Sequence, residues 1–422
     1  MGDKVSDDCR FNTRLLHSRA SKGYGQREIL PPIAQVTAFQ YENMEELEKV
    51  FAHKSMGYAY TRIGNPTMSA FEQKINEMEG GAGAICCSSG MSAISAALLA
   101  VCNSGDEIIT GSGLYGGTID LFHDLEKLGI HTIFTENMTA GNIKSLITDK
   151  TKVIFGELIS NPAQKVLDIP EVSKVAHEAG IPLFVDSTTA TPFIARPLEL
   201  GADVVIHSTS KYINGGGNSI GGIIVDGGKF AWDFEKHEAL KEFKKYSKLA
   251  FSVRLRTDLW ENLGCCMAPF NAYLSFIGLD TLGLRMERIC RNADALAKAL
   301  DKIPDIKVNY LTLPSHPYHE YVEKELGGLG GGILNFRAGS KERAFKIINL
   351  LKYALIASNI GDLRTLVIHP ASTLYIRSTE GEMEAAGVYA DTIRVSVGIE
   401  DSDDLIRDFT NAIEESIRGT VL

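Results

Sequence analysis

Positive charge is in short supply in this 422-residue chain. Lys and Arg number 43 against 53 Asp and Glu, a formal net charge of -10, which argues against nucleic acid as the main partner. Long apolar runs are lacking too, and no stretch approaches a membrane span. The opening residues, MGDKVSDD, have no apolar core of a secretory signal. A cytoplasmic protein without a membrane partner is therefore expected. Cysteine is sparse and odd in number: seven, with adjacent pairs at Cys86-Cys87 and Cys265-Cys266 and no Cys-x-x-Cys. That favours reduced thiols over a disulfide framework or a zinc site. No His-Glu-x-x-His occurs, so no metal is expected. Internal repeats and low-complexity tracts are absent as well.

What the chain does have is an ordinary globular composition, 44% hydrophobic and 23% charged, at a length sufficient for two or more domains. Its focus is the stretch that starts at Asp203. Val204, Val205 and Ile206 read as a strand buried on both faces. The run breaks into His207-Ser208-Thr209-Ser210-Lys211 and then into Gly215, Gly216, Gly217, Gly221 and Gly222. A lysine just past a buried strand, between hydroxyls and glycines, suits a partly desolvated and therefore nucleophilic amine. The hydroxyls suit phosphate oxygens, and glycines let backbone approach a ligand. On this segment alone, a lysine lying along the sheet end with its head in water is an equal reading.

Along the chain, residues 1–58 show no regular alternation and read as an arm, with one short helix at 44–51. Asn65 and Pro66 make a helix N-cap and first turn, followed by an apolar stripe of Met68, Phe71, Ile75 and Met78. Ile85-Cys86-Cys87 reads as a strand, Ser88-Ser89-Gly90-Met91 as a turn, and a helix runs on to Val101. Such a junction is either an anion site or a plain tight turn. Gly111-Ser112-Gly113-Leu114-Tyr115-Gly116 formally matches the dinucleotide fingerprint, with Glu136 at the matching distance. An NAD-dependent dehydrogenase is therefore the alternative from a different class. Further strands are expected at 152–158, 182–185 and 203–207, with an antiparallel neighbour at 220–225. Alternation from 80 to 225 indicates an α/β domain with a largely parallel sheet. Ligands in such sheets sit beyond the strand C-terminal ends, where Asp186, Ser208, Ser210 and Lys211 fall. Residues 229–246 read as mostly helical. Beyond 257 a long helix at 281–303 leads into a smaller α/β domain, with strands near 306–311, 333–337, 366–369 and 393–397 and helices at 341–357 and 403–417. The expected units are an arm (1–58), a ligand-binding domain (59–256) and a C-terminal domain (257–422).

Ser208-Thr209-Ser210-Lys211, with Tyr60-Thr61-Arg62, Asn65-Pro66-Thr67 and Asp186 upstream, resembles the Cys/Met-metabolism family of pyridoxal-phosphate enzymes. The resemblance continues through Pro269-Phe270-Asn271-Ala272, Leu313-Pro314-Ser315-His316-Pro317, His369-Pro370-Ala371-Ser372-Thr373 and the stretch from Arg394 to Glu400. It implies a fold-type I architecture with a large, mostly parallel, seven-stranded sheet and a smaller C-terminal α/β domain. It also implies pyridoxal 5'-phosphate held by Lys211, with Asp186 on the pyridine nitrogen and Gly90, Met91, Ser208 and Ser210 around the phosphate. Tyr115 would stack on the ring, Asn161 would lie beside it, and Arg394 would clamp the substrate carboxylate, with Asn359 and Tyr60 also near the substrate. Tyr60 and Arg62 would complete the site from a neighbouring subunit of a homotetramer.

Asn359-Ile360-Gly361-Asp362 and Leu114-Tyr115-Gly116-Gly117-Thr118 resemble the branch that replaces the acetyl group of O-acetylhomoserine. The implied partners are an amino-acid substrate and a sulfur nucleophile. Methionine γ-lyase and cystathionine γ-synthase or γ-lyase chemistry remain alternatives. Departures from the family pattern are Ser187-Thr188 where Asn-Thr is common, and Gly216 or Gly217 where a histidine is common. Tyr375 is a third, in a stretch where a histidine is common.

Overall fold

The computed structural model describes residues 10–16, 29–52 and 54–418. Cys9 and much of the first half of the arm lie outside them. Short runs of β-branched and aromatic residues build the larger sheet: β1 (Gly83–Cys87), β2 (Glu107–Gly111), β3 (His131–Thr135), β4 (Thr151–Glu157), β5 (Leu183–Asp186), β6 (Val204–His207) and β7 (Gly222–Asp226). Their order is β1-β7-β6-β5-β4-β2-β3. Strands β2 to β6 pair in parallel, whereas β7 runs antiparallel to β6 and to β1. All of β5 and β6 is buried, as expected for strands covered on both faces.

The helix Pro66–Glu79 shows how local signals and packing agree. Asn65 Oδ1 accepts from Thr67 N at 3.0 Å, and the helix ends on Gly80 at φ 73°. Only glycine takes that left-handed turn without strain. Met68, Phe71, Ile75 and Met78 are all buried against the sheet, each contributing about 1.5–3 kcal/mol of transfer free energy.

The second sheet contains β8 (Lys307–Asn309), β9 (Ile333–Arg337), β10 (Leu355–Ile356), β11 (Leu366–Ile368) and β12 (Thr392–Ser396), in the order β10-β11-β12-β9-β8. Its core lies around Phe336 and Phe409. One helix, Leu282–Leu300, joins the two cores: Leu282, Met286 and Ile289 face the first, and Ala293, Leu296 and Leu300 face the second. The arm helix Met44–Phe51 forms at the expected place, but none of its residues is buried. Among the described residues no helix is long and apolar enough to cross a membrane.

Two helical expectations fail for tertiary reasons. In 229–246 only the stretch from Glu238 is helical, as a 3-10 segment reaching Leu249. Ahead of it Trp232 Nε1 donates to Lys248 O at 3.3 Å and His237 Nε2 contacts Lys152 O at 3.1 Å, so side-chain anchors set the path. The helix expected over 341–357 stops at Leu350. Asp408 takes the N–H groups of Lys352 and Tyr353, and the chain then forms the edge strand β10.

Candidate active site

The C-terminal ends of β4, β5 and β6 deliver Glu157, Asp186 and His207 to one level of the sheet. A cavity of about 750 Å³ opens there. Gly90, Met91, Tyr115, Asn161, Asp186, Ser208, Ser210, Lys211, Asn359 and Arg394 all line it. Tyr60 and Arg62 do not. Arg62 instead lies over the Tyr60 ring at 5.5 Å and donates to Glu261 O at 2.8 Å.

Lys211 reaches the cavity just past β6, and its Nζ donates to Asn359 Oδ1 at 2.7 Å. Burial, assisted by the positive charge of Arg394, pushes its amine down to about 8. A useful fraction is then unprotonated near neutrality. Arg394 enters from β12 of the smaller sheet. Its guanidinium donates to Asn161 Oδ1 at 3.3 Å and to Asn359 O at 3.1 Å, while its buried Nε has no partner among the described residues. Burial lowers it to about 10, so it stays cationic at neutral pH. A buried guanidinium with an unmatched donor is a receptor for an anionic oxygen.

The other end of the cavity is built from backbone. The helix Gly90–Leu99 begins there, capped by Ser89 Oγ on Ser92 N at 3.0 Å. First-turn N–H groups such as those of Gly90 and Met91 have no intrahelical acceptor, which makes the end an anion site. A Cβ on Gly90 would lie 2.6 Å from Ser208 Cβ, so a side chain there would fill the cradle. Ser210 is less free than the sequence suggests. Its hydroxyl donates to Gly221 O at 3.2 Å and accepts from Gly221 N at 2.9 Å, pinning the glycine segment.

Asp186 is buried, and burial raises its pKa against the pull of Thr188, whose N–H donates at 2.9 Å. Glu157 beside it is pushed up to about 8, by burial first and by Asp186 second. Glu157 went unread in the sequence, although it ends an apolar strand as Asp186 does. Leu374 was missed too, and no local signal marks it as a wall of the cavity.

The glycine turn after β2 serves packing. A Cβ on Gly113 would lie 3.1 Å from Ala385 O, and one on Gly117 would lie 2.7 Å from the Tyr115 ring. The Tyr115 N–H, in the turn that would cradle a pyrophosphate, is taken by Glu157 at 2.7 Å. The strand order, with β7 running antiparallel inside the sheet, also differs from the dinucleotide-binding order. The dehydrogenase alternative is set aside.

Comparison with known proteins agrees. The model of the family described as Cys/Met metabolism PLP-dependent enzyme matches residues 12–414. An O-acetyl-L-homoserine sulfhydrylase of Corynebacterium glutamicum is 40% identical, over 96% of each chain. A homocysteine synthase of Schizosaccharomyces pombe is 39% identical, over 96% of this chain and 98% of its own. The crystal structure of a putative O-acetylhomoserine (thiol)-lyase from Campylobacter jejuni superposes with a TM-score of 0.90 at 36% identity, covering 96% of this chain and 99% of that one. That structure carries a pyridoxyl group joined to a lysine. The residues present here fit the same cofactor: a desolvated amine, a buried carboxylate for a ring nitrogen, and a helix N-terminus with a glycine cradle for a phosphate. With its fold, cavity chemistry and relatives in accord, this chain belongs to the Cys/Met-metabolism family of pyridoxal-phosphate-dependent enzymes.

Proposed function

We propose that the chain is a transferase of methionine biosynthesis. It carries out γ-replacement on O-acetyl-L-homoserine with sulfide or methanethiol, giving homocysteine or methionine plus acetate. The observation that carries this reading is the sharing of Asn359 by two groups: its side-chain oxygen takes the Lys211 amine, and its backbone oxygen takes Arg394. A proton carrier and a carboxylate receptor then meet at one residue, as chemistry on an amino acid's carbon chain requires. The sulfhydrylase and synthase relatives support the choice of donor and nucleophile.

Pyridoxal phosphate supplies an electron sink for charge developing on the substrate's α-carbon. Lys211 Nζ is the group that holds the cofactor. Its amine, when free, would move protons at the substrate's α- and β-carbons, a task suited to a group titrating near 8. The Asp186 carboxylate holds a proton at the ring nitrogen. Gly90, Met91 and Ser208 would bind the phosphate, with Ser210 beside it holding the Gly221 segment in place through its hydroxyl, and Tyr115 and Asn161 would flank the ring. Arg394 would orient the substrate carboxylate through its fork of N–H groups, with Asn359 and the Tyr60 of a neighbouring subunit close by. Ile94, Ile159 and Leu374 on the cavity wall exclude water. Acetate leaves with the pair of the C–O bond at the γ-carbon, and the sulfur nucleophile provides the pair of the new C–S bond.

The arm, the large domain and the C-terminal domain, 1–58, 59–256 and 257–422, form the units of this enzyme. Its assembly is a homotetramer built from dimers, in which Tyr60 and Arg62 complete a neighbouring subunit's site. Their position outside their own chain's cavity supports this, as does the unburied arm helix. The six free cysteines among the described residues suit a reducing cytoplasm. Turnover of O-acetylhomoserine, O-succinylhomoserine, cystathionine and methionine, each with and without sulfide, tests the reaction. Methionine turning over fastest, with no need of sulfide, would replace it by a lyase.

A further inference from the structure

Glu157 has no part in the reaction just described, yet it stands in the middle of the site. It ends β4 in register with Asp186 at the end of β5, so the two carboxyls share one face of the sheet. Its two oxygens take different donors: Oε1 accepts from Tyr115 N at 2.7 Å and Oε2 from Asn161 N at 3.1 Å. Tyr115 leads the helix Gly116–Glu126, and Asn161 bears the amide oxygen that meets Arg394. One side chain therefore ties together the loops after β2 and β4. It is also part of the wall between the main cavity and a second one of about 500 Å³, which lies against Gly111, Met138 and Lys165.

A second buried acid beside Asp186 is electrostatically unfavourable, since each disfavours ionisation of the other. The geometry shows what offsets that cost. Both facing groups are backbone N–H donors, so the site needs two acceptor oxygens, which a carboxyl group has and an amide has not. With burial and Asp186 pushing Glu157 up to about 8, the ionised form that serves both donors best gains as the pH rises through that value. Charge-assisted bonds to backbone N–H are also among the stronger ones available.

We infer that Glu157 is a positioning residue that holds the Tyr115 ring and the Asn161–Arg394 contact as one rigid wall of the cofactor site. The inference rests on Tyr115 and Asn161 lying beside the cofactor, but its readouts need no substrate. A failed sulfhydrylase assay therefore leaves it intact.

The test uses full-length E157Q and E157D loaded with pyridoxal phosphate, each also made in a Y115A background. Cofactor Kd and the visible circular dichroism per bound cofactor are measured. Measured at about pH 9, above the value near 8 of the Glu157 carboxyl, E157Q should weaken cofactor binding about tenfold, the loss of one charge-assisted bond, and lower the dichroic band by more than half. E157D keeps both acceptor oxygens and should recover most of the band. In the Y115A background Glu157 keeps both backbone donors but no ring remains to be held, so the part of either effect that acts through the ring should vanish and only the smaller part that acts through Asn161 and Arg394 should remain. If E157Q does not fold, E157D and its double variant decide by the same non-additivity. A wild-type band and Kd in E157Q, equal losses in E157Q and E157D, or effects that simply add to those of Y115A would overturn the inference.

Discussion

Lys211 Nζ and Asn359 Oδ1 are joined by a 2.7 Å hydrogen bond that links residues 148 positions apart. The lysine follows β6, an interior strand of the large sheet, and the asparagine lies between β10 and β11 of the smaller one. The reactive amine is thus held between the two sheets, and its acidity depends on both. Burial lowers its pKa first, and Arg394 from the smaller sheet lowers it further.

The first prediction is for the amine itself. Borohydride reduction of the holoenzyme should fix the cofactor to Lys211, and Lys211→Ala should abolish turnover even if cofactor is retained. In the cofactor-free protein, amine-directed labelling of Lys211 should rise through about pH 8, below the ordinary lysine range. The sign follows from burial, which disfavours the cation and so favours the reactive neutral amine at lower pH. Arg394→Ala should move that midpoint upward. Peptide mapping that finds the label on another lysine contradicts the assignment.

Reaction choice is read at Gly117. A Cβ there would lie 2.7 Å from Tyr115 Cε1, so any side chain displaces the stacking ring. O-acetylhomoserine with sulfide or methanethiol should be used at least tenfold better in kcat/KM than methionine elimination, a difference of only about 1.4 kcal/mol. Gly117→Cys should narrow that ratio. Thioether or thiol product is compared side by side with 2-oxobutanoate release, and a wild-type preference for methionine or cystathionine rules the sulfhydrylase reading out.

Subunit sharing predicts complementation. Arg62→Ala should weaken cofactor retention, and Lys211→Ala should be inactive. Mixed and reassembled, the two should recover part of the activity, since a hybrid interface contains one intact site. Sedimentation should report a tetramer, and an active monomer at assay concentration speaks against the arrangement.

Stability can be probed away from the site. Phe71 is fully buried on the helix that packs against β1. Phe71→Ala should cost about 3–5 kcal/mol, while Asn65→Ala should cost about 2–3 kcal/mol through the lost cap and the lost amide bonds to Ala34 O and Thr61 Oγ1. Denaturant midpoints of the two variants check both values; a larger shift for Asn65→Ala than for Phe71→Ala would mean that the Asn65 bonds, and not the apolar stripe, dominate.

Local chemistry alone determined much of this protein. Asn65-Pro66 announces a helix start because cap and first turn are satisfied by neighbours in sequence. The apolar runs ending at Asp186 and His207 announce buried strands because their burial needs no knowledge of partners. The lysine among hydroxyls and glycines marks a candidate amine, although on that segment alone a lysine with its head in water reads equally well. Tertiary structure decided the rest. The chain order of residues does not reveal that Asp408 halts the helix ending at Leu350, that Ser210 spends its hydroxyl on Gly221, or that Tyr60 and Arg62 stand clear of their own cavity. Glu157 is the sharpest case. Its place at a strand end is legible, but its two donors come from separate loops, and only the folded sheet brings Tyr115 and Asn161 to the same carboxylate.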